Sequence, residues 1–196
     1  IELKGTEAGI AKVAASVNSK PAVNAQDVTL KADESTAGIG NGDLTSDLNT
    51  AVANGTAAIT YTALVKDAKG NPVKNLRVSW ATDRGTFANG NTTSNTDNNG
   101  KATIALTSTQ AGRATVTATP GTGSTVTATP VTFTGDPATA RLDSSSITVL
   151  PNRNIVANNS DQATYSALVK DAHGNPVAGV TVTWSSNNGT LAPTNQ

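Results

Sequence analysis

A nine-residue stretch occurs twice in this chain of 196 residues, as VKDAKGNPV from Val65 and as VKDAHGNPV from Val169. The similarity extends to both sides of the stretch at an offset of 104 positions. A second match, between EAGIAKVAAS from Glu7 and QAGRATVTAT from Gln110, has an offset of 103. Two overlapping matches of nearly equal period predict a tandem array whose unit has about 103 residues.

The limits of the units are set by two similar segments, VTLKAD and VTFTGD, which end at Asp33 and Asp136. Residues 1–33 are therefore predicted to be the C-terminal part of one repeat, 34–136 a complete repeat, and 137–196 the N-terminal part of a following repeat. Both partial repeats lack a counterpart of the polar, loop-like stretch 93–103, and the chain has no Met. We therefore expect a piece of a longer protein, divided at an exposed loop.

Alternation of apolar and polar residues within the unit predicts β-strands. Ile59, Tyr61, Ala63 and Val65 share one face of a strand, and the same alternation recurs through the rest of the unit. About seven short strands per unit, separated by frequent turns, are typical of an all-β, immunoglobulin-like β-sandwich. The chain has no Cys, so the sandwich has no disulfide. The predicted core anchors are Tyr61, Trp80, Phe133, Tyr165 and Trp184.

The repeated stretch is predicted to be a tight turn between two strands. Asp and Asn side chains bond the local backbone, Gly supplies a positive φ, and Pro stops ladder pairing. We expect the turn geometry to restrict which residues fit, whereas the replacement of Lys69 by His173 shows that the tip is free to vary. The predicted turn residues are Asp67, Gly70, Asn71, Pro72, Asp171, Gly174, Asn175 and Pro176.

Charge and composition argue against several classes of partner. Fourteen basic residues balance fourteen acidic ones without a basic stripe, so neither nucleic acid nor direct membrane contact is expected. His173 is the only histidine and lies in the turn, where no catalytic triad or histidine metal cluster can be built around it. Asp67 and Asn71 could ligate calcium, but the turn lacks the alternating acids of a calcium loop. We predict no catalytic residue, no metal site and no cofactor.

The ordered motifs of the unit resemble the bacterial immunoglobulin-like domain of group 1, the tandem module of the stalks of intimin- and invasin-type adhesins. The resemblance covers essentially the whole chain. It implies a surface protein of Gram-negative bacteria, anchored in the outer membrane by a region outside this sequence and carrying a receptor-binding tip. The matching motifs are Ala53–Gly55, Val65–Pro72, Thr96–Thr103, Leu106–Gly112 and Val131–Asp136.

This resemblance favours a structural stalk, whose partners are neighbouring repeats of the same chain and, through a tip not present here, a host receptor. Alternatively, the repeats bind host protein or glycan themselves, through Gly38–Asn49 or Gly85–Asn99. A third possibility is an accessory module of a secreted enzyme or of a phage structural protein. Because partial repeats leave strand edges unpaired, we also expect head-to-tail self-association through the end repeats.

Overall fold

The computed structural model describes residues 1–192, and across these residues the chain is built from short β-strands and 3₁₀ helices, without an α-helix. In this part of the chain, no helix is long and apolar enough to cross a membrane. The strands are β1 (Gly9–Ala11), β2 (Ala14–Ala15), β3 (Val23–Asn24), β4 (Val28–Leu30), β5 (Gly38–Ser46), β6 (Thr50–Val52), β7 (Ile59–Lys66), β8 (Arg77–Thr82), β9 (Thr86–Phe87), β10 (Thr93–Asn95), β11 (Lys101–Thr107), β12 (Gly112–Ala114), β13 (Val116–Pro120), β14 (Val126–Thr127), β15 (Val131–Thr134), β16 (Ile147–Leu150) and β17 (Thr164–Ala167). The 3₁₀ helices are Glu34–Thr36, Ala88–Gly90, Pro137–Thr139 and Ser144–Ser146.

Strands β5 to β15 form the sheets of a sandwich between residues 34 and 136. One sheet has the order β5-β7-β11-β9, and the other has the order β10-β8-β13-β14. A third sheet, β12-β15-β6, contains the parallel pair β6 and β15, whereas the other pairs are antiparallel. This confirms the predicted all-β sandwich.

The core of the sandwich follows the alternation in the sequence. Every second residue of β7 is buried, and Tyr61 is fully covered. Trp80 is 3% exposed and donates from its indole Nε1–H to the Ser94 hydroxyl at 2.9 Å. All members of the buried apolar cluster lie between Ile39 and Phe133, so this unit carries a core of its own.

Two sequence predictions about strands in this unit need correction. The stretch Gly38–Asn49, proposed as a binding loop, is mostly strand β5, which pairs with β7 across a β-bulge. The polar stretch 93–103 contains β10 and the start of β11. The unit also has more, shorter strands than the seven expected, because the chain switches sheets between β5 and β6 and again between β12 and β13.

The core role predicted for Tyr165 and Trp184 is wrong in this structure. Tyr165 is 54% exposed and Trp184 is 41% exposed, and their rings lie 6.3 Å apart at a tilt of 54°. Their counterparts Tyr61 and Trp80 are buried in the apolar cluster that also contains residues of β11, β13 and β15. Among residues 137–192 no strand corresponds to those three, so the apolar cluster that buries Tyr61 and Trp80 is not formed around these two rings.

Candidate functional site: the junctions between units

The repeated stretch folds as a closed turn around the carboxylate of its aspartate. The backbone N–H of Asp67 donates to the Asn71 carbonyl at 2.9 Å, and the Gly70 N–H donates back to the Asp67 carbonyl at 3.0 Å. Asp67 Oδ1 accepts the N–H groups of Lys69 and Asn71, both at 2.9 Å. Gly70 lies at φ +88°, in the left-handed region that glycine adopts without strain. The predicted turn residues are thus brought together here.

The outer side of this turn contacts the preceding unit, which defines the first junction. The Asn71 side-chain amide donates from Nδ2 to the Thr6 carbonyl at 2.9 Å. Its Oδ1 accepts the Ala8 N–H at 2.8 Å. Asp67 Oδ2 accepts the Asp33 N–H at 3.0 Å and a second bond from Asn71 Nδ2 at 2.8 Å. One asparagine and one aspartate therefore join two segments of the preceding unit.

The second copy of the turn makes the same contacts with the middle unit, which defines the second junction. Asn175 Nδ2 donates to the Thr109 carbonyl at 3.0 Å, and Oδ1 accepts the Ala111 N–H at 2.7 Å. Asp171 Oδ2 accepts the Asp136 N–H at 3.0 Å. The two junctions thus repeat one arrangement of donors and acceptors at the period of the sequence.

The 3₁₀ helix at each boundary is held against the turn of its own unit. Asp33 caps the helix Glu34–Thr36 by accepting the Ser35 N–H, and the Thr36 hydroxyl accepts the Ala68 N–H at 3.2 Å. At the second junction, the Thr139 hydroxyl accepts the Ala172 N–H, also at 3.2 Å. The boundary residues are therefore folded onto the turn and do not form a free linker.

The second junction is the more closely packed of the two. Asp171 is fully buried and Asn175 is 8% exposed, whereas Asn71 is only partly buried. Gly135 lies against the backbone of Pro176, and a Cβ atom at Gly135 would overlap the Pro176 carbonyl oxygen. Glycine at this position therefore permits close approach of the two units.

Hydrogen bonding keeps both turn carboxylates ionised. The Asp33 N–H, followed by the Asn71 amide, holds the pKa of Asp67 well below its usual range. Burial alone would raise the pKa of Asp171. Bonds from the Asn175 amide and from the N–H groups of Asp136, Asn175 and His173 outweigh burial and lower it to about 2. Both turns therefore contain a carboxylate at neutral pH.

The turn geometry also bears on the calcium and histidine hypotheses. Each oxygen of the Asp171 carboxylate accepts two N–H bonds, so its lone pairs are engaged by the protein. Among residues 1–192, no three His, Cys, Asp or Glu side chains are grouped as metal ligands would be. His173 and Lys69 are exposed at the tips of their turns.

Sequence reasoning missed the receiving side of each junction. Thr109 and Ala111 contribute backbone atoms, so their side chains carried no chemical signal. A signal was nevertheless present in the repeat pattern. The segments Thr6-Glu-Ala-Gly and Thr109-Gln-Ala-Gly recur at the same offset as Asp33 and Asp136. The two copies of the turn are identical except at the exposed tip, and this identity exceeds what the geometry of a turn requires. It therefore indicated a second role for the turn residues.

Other surface features offer less to a ligand. A groove beside the first junction, lined in part by Glu7, Leu30 and Lys69, has a volume of about 170 Å³. Small-molecule pockets are usually larger, about 300–1,000 Å³. The proposed binding loop Gly85–Asn99 contains β9, a 3₁₀ helix and β10, and its exposed tip is at Asn89 and Gly90.

Comparison with known proteins places these observations among related sequences. Residues 41–134 and 144–196 match the family described as bacterial Ig-like domain (group 1). The inverse autotransporter adhesin YeeJ of Escherichia coli K12 is 32% identical over the whole of this chain, which corresponds to 8% of YeeJ. Intimin of Escherichia coli O111:H- is 34% identical over 77% of this chain and 16% of its own length. The chain thus spans a small part of each relative.

Similarity to solved structures supports the fold. The crystal structure of invasin, described as a bacterial integrin-binding protein, is similar over 89% of this chain and 34% of its own, with a TM-score of 0.57. Sequence identity to invasin is 24%, so this similarity concerns the sandwich fold and not the ligand.

Proposed function

We propose that this chain, which belongs to the family of bacterial Ig-like domains of group 1, is a stalk segment of a bacterial surface adhesin. In this proposal, docked repeats hold an adhesive region away from the outer membrane, and that region and the membrane anchor lie outside this sequence. The observation that carries the proposal is the repetition of one set of bonds at both junctions. Repeat arrays whose units contact only their neighbours gain length by adding units.

Fixed junctions are what distinguish a stalk from units on a flexible tether. Asp33 and Asp136 at the unit boundaries each donate a backbone N–H to the turn of the following unit. Pro137 occupies the first position of the boundary 3₁₀ helix, where its fixed φ limits rotation further. These contacts favour a defined angle between successive units.

The surface of the middle unit also favours a spacer. Within residues 34–136, all of which the structure describes, Leu48 is the one large apolar side chain that is strongly exposed, at 49%. Protein interfaces rely on clustered aromatic and apolar anchors. Tyr61, Trp80 and Phe133 are all buried in this unit, so they are not available for a partner. The description of YeeJ as an inverse autotransporter adhesin supplies the context of a bacterial surface.

The test uses arrays of one, two and three copies of residues 34–136. In such an array Glu34 follows Asp136 directly, so Asp67 and Asn71 of each copy face Thr109, Ala111 and Asp136 of the copy before it. We expect the maximum dimension from small-angle X-ray scattering to increase by an equal step with each copy. A matched array with a flexible Gly/Ser linker after Asp136 should increase less steeply.

A cell-binding experiment distinguishes a stalk segment from a receptor-binding module. The single unit is offered to candidate host cells beside a variant in which only the exposed tip 88–91 is scrambled, and the fold of both is verified by circular dichroism. Absence of saturable binding together with equal length steps is the expected result. Saturable binding that disappears on scrambling would instead assign receptor recognition to the repeat, and unequal steps would reject a rigid stalk.

A further inference from the structure

The Asp-x-x-Gly-x turn occurs three times in the described chain, and two of the three copies form a junction. The third copy runs from Asp97 to Lys101, and it has the same bonds from backbone N–H groups within the turn as the other two. Asp97 Oδ1 accepts the N–H groups of Asn99 and Lys101, both at 2.8 Å, and the Gly100 N–H donates to the Asp97 carbonyl at 3.1 Å. The fold of the turn is therefore not what makes a turn dock.

The copies differ at the fifth position of the turn. Asn71 and Asn175 occupy it in the turns that dock, whereas Lys101 occupies it in the turn that makes no hydrogen bond to residues 1–33. The Asp67 and Asp97 turns lie at the same end of the middle unit, since the Val65 N–H donates to the Gly100 carbonyl at 2.7 Å. Location at this end of the unit therefore does not by itself produce docking.

An asparagine side chain matches the chemistry of the surface that it contacts. At the second junction Asn175 donates to the Thr109 carbonyl and to Asp171 Oδ2, and it accepts from the Ala111 N–H. Both amide hydrogens and the amide oxygen are thus engaged. Lysine offers donors only and aspartate offers acceptors only at neutral pH, so neither reproduces this set.

The receiving surface presents backbone atoms to the asparagine and the aspartate. These atoms are the carbonyl of a threonine, the N–H of the alanine two residues later, and the N–H of the boundary aspartate. The residue between the threonine and the alanine is Glu7 at the first junction and Gln110 at the second, and the contacts are the same. The side chain at this position, Glu7 or Gln110, therefore takes no part in recognising the turn.

We propose that the fifth-position asparagine is the residue that selects the neighbouring unit, and that its partner is a backbone surface that fits any Asp-x-x-Gly-Asn turn of such an array. Units are then interchangeable in order, because recognition depends on neither Glu7 nor Gln110. The biological use of this device rests on the proposed stalk function, but its chemistry does not.

The experiment measures amide hydrogen exchange by NMR in the full 196-residue chain. In Asn175→Ala we expect exchange at the Ala111 amide to be about tenfold faster or more, because its acceptor is lost. Exchange at His173, which donates to Asp171 inside the turn, should stay unchanged. Lys101→Ala, the matched change in the turn that does not dock, and Gln110→Ala should both leave Ala111 as it is.

A second variant controls for the possibility that Asn175→Ala simply unfolds the turn. Asn175→Asp keeps the size of the side chain but removes its donors and brings a second carboxylate beside Asp171, so Ala111 and Asp136 should also exchange faster. Unchanged protection of Ala111 in both variants would overturn the proposal, as would equal loss in Gln110→Ala. Because exchange reports single bonds, this result is independent of whether arrays are rigid or bind cells.

Discussion

Tyr61 gives the sharpest test of the energetics in the core. Its side chain is fully buried, and its hydroxyl has no hydrogen-bond partner among residues 1–192. In the unfolded chain this hydroxyl is hydrated, so folding removes a bond to water without replacing it, which costs about 1–3 kcal/mol. Tyr61→Phe removes that cost and leaves the ring in place. We therefore expect the free energy of unfolding to rise by roughly 1–2 kcal/mol.

The same hydroxyl should make the unit sensitive to alkali. Burial, together with the negative charges of Asp83 and Asp47, raises the pKa of Tyr61 to about 12. The pKa in the unfolded chain is about 10. The unfolded state therefore releases its proton first, and stability present below pH ~10 is lost as the pH rises toward ~12. Tyr61→Phe should abolish the part of this loss that is due to the phenol.

The assay can be done on residues 34–136, which contain Tyr61 as the one tyrosine and Trp80 as the one tryptophan. Urea unfolding is followed by Trp80 fluorescence, and a thermal scan should show a Tm increase of about 4–8 °C per kcal/mol for a domain of this size. Ser94→Ala is the matched control, for which we expect the free energy of unfolding to change in the opposite direction. It leaves the buried indole N–H of Trp80 without its acceptor, which should destabilise the unit by about 1–3 kcal/mol.

The reasoning would be refuted if Tyr61→Phe lowered the free energy of unfolding by about 1 kcal/mol or more. Such a loss would mean that the hydroxyl has a partner in solution, an internal water for example. A gain in stability at neutral pH without any change in the alkaline limb would refute the electrostatic half of the argument alone. In that case neither burial nor the charges of Asp83 and Asp47 would be raising the pKa of this phenol.

Two further predictions concern the turns. Gly70→Ala should cost about 1–2 kcal/mol, since φ is +88° but the added Cβ has open space, whereas Gly100→Ala at φ +74° should cost more because its Cβ would lie 2.5 Å from the Val65 carbonyl. Equal urea midpoints for the two variants of residues 34–136 would contradict this. The lowered pKa of Asp171 stabilises the second junction. This stability is complete above the unfolded pKa of about 3.9, declines as the pH falls below that value, and is lost as the pH falls through the folded pKa of about 2. The NMR shift of the Asp136 amide reports the opening, and a midpoint near pH 4 would disprove the prediction.

The sequence predicted the sandwich well because burial imposes a period of two on each strand. Ile59, Tyr61, Ala63 and Val65 are buried as the alternation indicated. Strand β5 was taken for a loop because Gly and Asn, which usually break strands, fill its middle. Those residues lie at the β-bulge, where Asp43 pairs with Lys66 at 3.3 Å.

Of the residues that form each junction, the sequence predicted only those of the turn and not those of the surface that the turn contacts. Local side-chain chemistry identified Asp67 and Asn71 as turn residues, but their second bonds go to residues more than 30 positions away. Such contacts have no local period, and the partner atoms are backbone atoms common to every residue type. The exposure of Tyr165 was missed for a related reason, since burial depends on an opposite sheet that a strand's own sequence does not encode.

The asparagines of the junctions have one more property, which concerns chemical ageing. Asparagine deamidates when the backbone nitrogen of the next residue attacks the side-chain carbonyl carbon, releasing ammonia and leaving a cyclic imide that water opens to aspartate or isoaspartate. Asn-Gly pairs favour this reaction because glycine leaves that nitrogen uncrowded, and the chain has such pairs at Asn41, Asn54, Asn89, Asn99 and Asn188.

Both junction asparagines are instead followed by proline, Asn71 by Pro72 and Asn175 by Pro176. The proline nitrogen carries no hydrogen, so the imide cannot form through it. Peptide mapping of an aged sample should find isoaspartate at the Asn-Gly pairs and none at the two Asn-Pro pairs. The proline that ends each turn thus also preserves the amide where an added carboxylate would face Asp67 or Asp171 at the 2.8 Å of the present hydrogen bond. In the proposed stalk, both junctions would therefore be spared the deamidation that alters the Asn-Gly pairs.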